Sequence, residues 1–220
     1  MPAAATKSFI QDTISPTAAQ KYYDLWGRHY DWFSFFESRA KSRSLELLDL
    51  QPGLSLLHVG LGTGKEHEWI VTHIEPDGRA YGLDLSLMML QVARARLDSP
   101  LCQADGGYLP FGHRRFDRLY AAYVIDLIPT SLIPVWLQGF RRVLKPGGCM
   151  VLLTLTEGVT VTSRAVVSLW KAAYRLYPLA CGGCRPLQLT DLMQQAGFQF
   201  MQDEIIIQFG IPSQVILAYP

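Results

Sequence analysis

A set of glycines and two acids carries the chemistry that this chain can be read for. Residues 56–64, Leu-Leu-His-Val-Gly-Leu-Gly-Thr-Gly, bring an apolar run into Gly60-x-Gly62-x-Gly64. Twenty positions after the last glycine, Asp84 closes a second apolar run, Ala80-Tyr-Gly-Leu-Asp84. Strand, glycine turn, helix, strand and acid is the order by which an α/β sheet holds a nucleoside. The glycines let the backbone approach the ligand without Cβ clashes, and the acid accepts from ribose hydroxyls. A dinucleotide fingerprint would place its third glycine one position later, to pack helix on strand around a pyrophosphate. Lys65 stands there, which argues against a nicotinamide-type oxidoreductase. A second acid, Asp105, lies in Gln103-Ala-Asp105-Gly106. Groups that could take a proton from a nucleophile are Tyr123 and Asp126, near the end of an apolar run over residues 116–128, and His29 and Tyr30 near the N-terminus.

The elements that must position these residues follow from periodicity. From Tyr22 to Phe36 aromatics are dense, and Tyr22, Trp26, Tyr30, Phe33, Phe36 and then Ala40 recur at three- and four-residue steps on one helical face. Such a helix either packs on the main domain or serves as a lid over a lipophilic substrate, or does both. Residues 44–50 continue as a short helix that Pro52-Gly53 stops. Strands are expected at 54–59, 80–84, 100–103, 116–128 and 149–155, with helices at 65–73, 85–97, 131–144, 163–177 and 190–196 between and after them. The 163–177 helix carries a wide apolar face and would roof the site together with the aromatic cap. The runs 198–209 and 213–219 are separated by Gly210-Ile211-Pro212, too short for a crossover helix, so that last pair is antiparallel. The pattern predicts an α/β, Rossmann-like seven-stranded mixed sheet with helices on both faces and an N-terminal helical cap. Residues 1–43 read as arm and cap, and 44–220 as the ligand-binding domain.

Composition narrows the function classes. A chain of 220 residues with 49% hydrophobic content is long enough for a well-buried core. A net charge of +1 gives no general field for nucleic acid. No stretch approaches the roughly 20 apolar residues of a membrane span. Residues 1–20 read as a loose arm, not a secretory signal. Four scattered cysteines read as reduced thiols in a cytoplasmic protein. Cys181-Gly-Gly-Cys184 has no second ligand pair, so no metal is expected, and His67 and His73 share no helical face and read as surface residues.

Five segments agree in order and spacing with one family. The compact Gly60-x-Gly62-x-Gly64 resembles motif I of the class I S-adenosylmethionine (SAM)-dependent methyltransferases. Gly82-Leu-Asp84-Leu-Ser86-x-x-Met89-Leu90-x-x-Ala93-Arg94 resembles that family's acidic loop and following helix. Asp105-Gly106 with Leu109-Pro110-Phe111 resembles the loop that brackets the adenine. Phe116-Asp117 resembles the opening of its fourth motif, and Arg141-Arg-Val-Leu-Lys-Pro-Gly-Gly148 the turn after it. The match is nearest to the ubiquinone/menaquinone-biosynthesis C-methyltransferases and related small-molecule and lipid methyltransferases.

The resemblance implies SAM as cofactor and S-adenosylhomocysteine as product. Gly60, Gly62 and Gly64 would lie against the methionine portion, Asp84 would take both ribose hydroxyls, and Asp105 the adenine amine with the Gly106 backbone beside it. Leu85 and Met89 would give apolar contact. The position two before Gly60 is usually an acid in this family; here it is His58, and Glu66 or Asp24 would have to supply the missing charge. The implied acceptor is a small hydrophobic or aromatic, quinone-like molecule with Asp126 as first choice of base. Two other readings are a phospholipid N-methyltransferase at a membrane surface, drawn by the basic edge of the 163–177 helix, and a SAM-binding protein without catalysis. The sequence is silent on oligomeric state.

Overall fold

The computed structural model describes residues 14–27 and 30–220. Its centre is a seven-stranded sheet of β1 (Ser55–Val59), β2 (Arg79–Asp84), β3 (Leu101–Gln103), β4 (Phe116–Ala122), β5 (Leu144–Leu155), β6 (Gln199–Gln208) and β7 (Ile211–Tyr219). The spatial order is β3-β2-β1-β4-β5-β7-β6. The first five strands are parallel, and β7 runs antiparallel to both β5 and β6. The seven strands and the antiparallel ending are as the sequence predicts. The final hairpin turns at Phe209-Gly210, both with positive φ (51° and 80°), a backbone that matches the strands' twist. The hairpin inserts β7 next to β5 and leaves β6 at the edge.

Period-two alternation divides the sheet's side chains between two cores. Leu57, Leu119, Met150, Leu152 and Ile216 point to one face, where Leu137, Phe140 and Val143 of α5 (Ile133–Val143) and Met193 of α7 (Thr190–Gln195) cover them. Leu56, Tyr120, Val151, Leu153 and Val215 point to the other. There Ala40 of α2 (Ser38–Glu46), with Leu47 and Leu48 just after it, joins Ile70 and Ile74 of α3 (Lys65–Ile74). Strands buried on both faces read as continuous apolar runs, which is why they are recognisable without alternation.

Besides β5, which starts at Leu144 and not at 149, three segments depart from the expected pattern. The N-terminal aromatic segment is not one helix. It forms α1 (Pro16–Trp26), then a 3₁₀ segment (Tyr30–Glu37), then α2, which spans the 43/44 boundary. Part of the expected loose arm is therefore the start of α1, N-capped by Ser15 through Ala18 N at 3.2 Å; residues 1–13 lie outside the described residues. The apolar run over 116–128 is strand only to Ala122. Tyr123 then takes φ 53° and a 3₁₀ turn covers Ile125–Leu127. Finally, α4 (Leu87–Arg94) is shorter than expected, opened by Ser86, whose Oγ accepts from Met89 N at 3.1 Å.

Candidate functional site

Strand order reverses between β1 and β4, each of which continues into a loop at its carboxyl end. At such a switch point the two loops diverge and leave a crevice. The chain has a cleft there of about 1220 Å³, counted to its open mouth. One wall is the glycine turn. Gly60 N and Leu61 N both donate to Leu83 O, at 2.7 and 3.1 Å, and tie the turn to the end of β2. A Cβ on Gly60 would lie 2.8 Å from Val124, and one on Gly64 2.9 Å from Ala93 of α4. Those two glycines are needed for packing. Gly62, at φ 57°, faces open space: a Cβ there would meet nothing within 4 Å. A ligand can therefore approach its backbone closely.

Asp84 binds this turn to the next loop. Its Oδ2 accepts from Gly62 N at 2.9 Å and its Oδ1 from Ser86 N at 2.8 Å. Burial pushes its pKa up to about 6, against the pull of those backbone donors. Asp105 also lines the cleft, and its Oδ1 accepts from Gly107 N at 2.8 Å. It therefore shapes its own loop as an Asx turn while facing the cleft. Gly106 lies so close to Trp136 that a Cβ would come within 2.5 Å of the indole. Leu85 and Met89 line the same end. The sequence-predicted residues His58, Gly60, Gly62, Asp84, Leu85, Met89, Asp105 and Gly106 thus meet around one space, and Gly64 stands just behind it.

The other end of the cleft is much less evident from the sequence. His58 is 2% exposed, its ring 4.9 Å from that of Tyr120 and 5.5 Å from that of His67. Burial, with His67 and Lys41 nearby, holds its pKa well below the usual histidine value, so the imidazole is neutral. His67 is not a surface residue. It is fully buried, bonded through Nε2 to Ser99 Oγ at 2.9 Å, and burial lowers its pKa to about 4. His73, in contrast, is exposed and stacks on Trp69. Lys41 of α2 lines the cleft between Glu37 and Glu66, its Nζ 3.2 Å from a carboxylate oxygen of each. Sequence reasoning misses Lys41. The one signal for it is an i, i+4 spacing from Glu37, beside the buried Ala40 and Ser44.

The proton-taking candidates are dispersed. Asp126 does not line the cleft. It is fully buried, with Oδ2 accepting from Leu155 N at 2.9 Å and Oδ1 without a hydrogen-bond partner. Burial raises its pKa well above the ordinary carboxylate value and keeps it protonated. Tyr123 does line the cleft, but its hydroxyl bonds Ser213 Oγ at 2.7 Å and burial raises its pKa well above the usual phenol value. His29 and the side chain of Tyr30 lie outside the described residues. The helix expected to roof the site, α6 (Val161–Leu176), contributes no residue to the cleft. Pro16, Ala19, Gln20 and Tyr23 of α1 do so instead.

The cap is fastened to the loops around the glycine turn and Asp84. Asp24 accepts from Ser86 Oγ and, at 3.2 Å, from Met88 N, so its carboxylate is engaged at the start of α4 and does not line the cleft. Asp31, which does, accepts from Thr63 Oγ1 and pairs with Arg96. Tyr23 donates to Gly182 O at 3.0 Å, in the turn between Cys181 and Cys184.

Known proteins agree with this arrangement. Residues 56–148 match the family model described as a methyltransferase domain. The chain is 30% identical over 173 residues to a malonyl-[acyl-carrier protein] O-methyltransferase of Herminiimonas arsenicoxydans, covering 79% of this chain and 63% of that protein. It is 27% identical over 172 residues to a demethylmenaquinone methyltransferase of Lactococcus lactis subsp. lactis, covering 76% and 59%. The chain thus spans about 60% of the length of these relatives. In fold it is similar to the N-methyltransferase NodS of Bradyrhizobium japonicum, at a TM-score of 0.71, 14% identity and coverage of 91% and 97% of the two chains. The [4+2]-cyclase SpnF gives the same TM-score at 17% identity, covering 96% and 98%. Such likenesses show the fold alone. The glycine turn, Asp84 and Asp105 that meet in one cleft thus all lie within the segment, residues 56–148, that is similar to a methyltransferase domain.

Proposed function

We propose that this protein transfers a methyl group from SAM to a small hydrophobic or aromatic, quinone-like acceptor. The observation that carries this reading is the joint placement of an open Gly62 backbone, a buried Asp84 and Asp105 along one wall of a cleft. The same cleft is also lined by the apolar Ala19, Leu127, Ile128 and Pro129. The donor and acceptor sets fit the group: Asp84 for the ribose hydroxyls, Asp105 for the adenine amine, Leu85 and Met89 for apolar faces.

SAM supplies an activated methyl with its own leaving group, so the chain's task is alignment and exclusion of water. The glycine turn and Asp84 fix one reactant, while the α1 wall and the Leu127–Pro129 segment close over the other. Asp126 and Tyr123, both held protonated by burial, act in this reading as wall supports and not as bases. A phospholipid acceptor is the second reading. It rests on Val161, Leu169 and Leu176 of α6, which are 73–88% exposed beside the exposed Arg164 and Arg175.

Scanning fluorimetry tests the first step: SAM and S-adenosylhomocysteine raise the melting temperature and NAD does not. Labelled SAM offered with quinols, phenols, thiols and phospholipid vesicles then ranks the acceptors. Stabilisation by NAD alone, or no label transferred to any acceptor, would overturn the proposal.

A pH effect follows from Asp84. Ribose hydroxyls donate to its ionised form, so SAM affinity falls as the pH drops through about 6, approaching roughly tenfold per pH unit below it. Calorimetry on either side of that value measures the slope. The unliganded protein shows the opposite sign. Its folded carboxyl holds a proton more tightly than the unfolded one. This group's contribution to stability is therefore fully present below the unfolded carboxyl's pKa and is lost as the pH rises through about 6.

A further inference from the structure

SAM brings two cationic centres, an ammonium and a sulfonium, and only one carboxylate into the cleft. The β1 position two before Gly60 offers no charge to offset them, because His58 is a neutral, buried ring stacked with His67 and packed on Tyr120. Among the described residues, four carboxylates line the cleft: Asp31, Glu66, Asp84 and Asp105. Asp84 and Asp105 belong to the nucleoside end, and Asp31 has both oxygens engaged, Oδ1 by Thr63 and Oδ2 by Arg96, whereas Glu66 is paired through Oε1 alone. Glu66 is left. It sits in the first turn of α3, directly after the glycine turn, with a side chain only 16% exposed. Lys41 holds it from one side, and Glu37 shares that lysine, so two carboxylates meet one ammonium. Burial alone would lower the Lys41 pKa, but Glu66 and Glu37 more than offset it and raise it.

Resting on the methyltransferase reading above, we infer that Glu66, clamped by Lys41 from the cap, is the acid that receives the cofactor's ammonium in place of His58. The clamp fixes the carboxylate's orientation and leaves its remaining lone pairs for a second cation, as a charge-assisted hydrogen bond requires. The residue that orients the acid therefore comes from α2, outside the 56–148 segment shared with the family.

The test compares ligands that differ only in the amino-acid portion. Glu66→Gln weakens S-adenosylhomocysteine binding by about tenfold to a hundredfold and leaves methylthioadenosine, which lacks the amino acid, within about twofold of wild type. Loss of both ligands in parallel, or of neither, overturns the inference. If wild-type protein binds neither ligand, it is the methyltransferase reading that fails. Glu66→Gln leaves Lys41 with Glu37 alone; should it fold poorly, Lys41→Met/Glu66→Gln removes both charges together and is measured with the same two ligands.

Discussion

Replacing Asp84 with alanine lowers SAM affinity by roughly two to three orders of magnitude, about 3–4 kcal/mol. Three losses combine. Two charge-assisted bonds to the ribose hydroxyls disappear, and the donors Gly62 N and Ser86 N, both now satisfied by the carboxylate, lose their partner. The glycine turn is then no longer tied to the loop after β2 by a side chain, so the pre-formed shape of the cleft is lost with the contact. Asp84→Asn, which keeps the shape and one acceptor, falls between the two. Isothermal calorimetry with S-adenosylhomocysteine measures all three proteins. An alanine variant within about threefold of wild type would remove Asp84 from the cofactor site and with it the main support for the proposed activity.

The largest effect on stability is expected at Arg185. Its side chain is fully buried, with Nη1 donating to Asp126 O at 2.8 Å and Nη2 to Ile128 O at 2.7 Å and Thr130 Oγ1 at 3.0 Å. These acceptors belong to the segment that leaves β4 and forms the apolar wall of the cleft. Arg185→Met keeps much of the volume but orphans the buried acceptors, and is expected to cost about 3–5 kcal/mol. For a chain of this size that lowers the melting temperature by roughly 10 °C. Differential scanning calorimetry checks it. A change under about 1 kcal/mol would mean that water reaches these carbonyls and that the wall does not depend on the guanidinium.

The glycine-turn end of the cleft is legible in the sequence because its determinants are local. Gly60, Gly62 and Gly64 answer to backbone conformation, and Asp84 and Asp105 stand at strand ends that apolar runs announce. The opposite end depends on tertiary placement. Lys41 on a helix rich in arginine and serine reads as a solvated charge until α2 is laid against the sheet beside Glu66. Asp126 reads as a base because the end of β4 is a common place for one. The structure turns it away from the cleft, since Tyr123 adopts positive φ and the chain winds into a 3₁₀ turn before Ile128. His67 reads as exposed on its helix, yet α3 packs that side against β1 and the 97–100 loop, where Ser99 meets it. The aromatic segment 22–36 reads as one amphipathic helix because its periodicity continues through Gly27, where α1 ends.

The fastening of the cap has a consequence for chimeras. Lys41 reaches Glu66, Asp24 reaches Ser86, and Asp31 reaches Thr63 and Arg96. Exchanging residues 14–46 for the corresponding stretch of a relative therefore does not transplant an acceptor preference alone. It also removes three anchors from the loops around the glycine turn and Asp84. A hybrid that retains this protein's core needs matching partners at 63, 66, 86 and 96, and the two parts of the chain are best redesigned together.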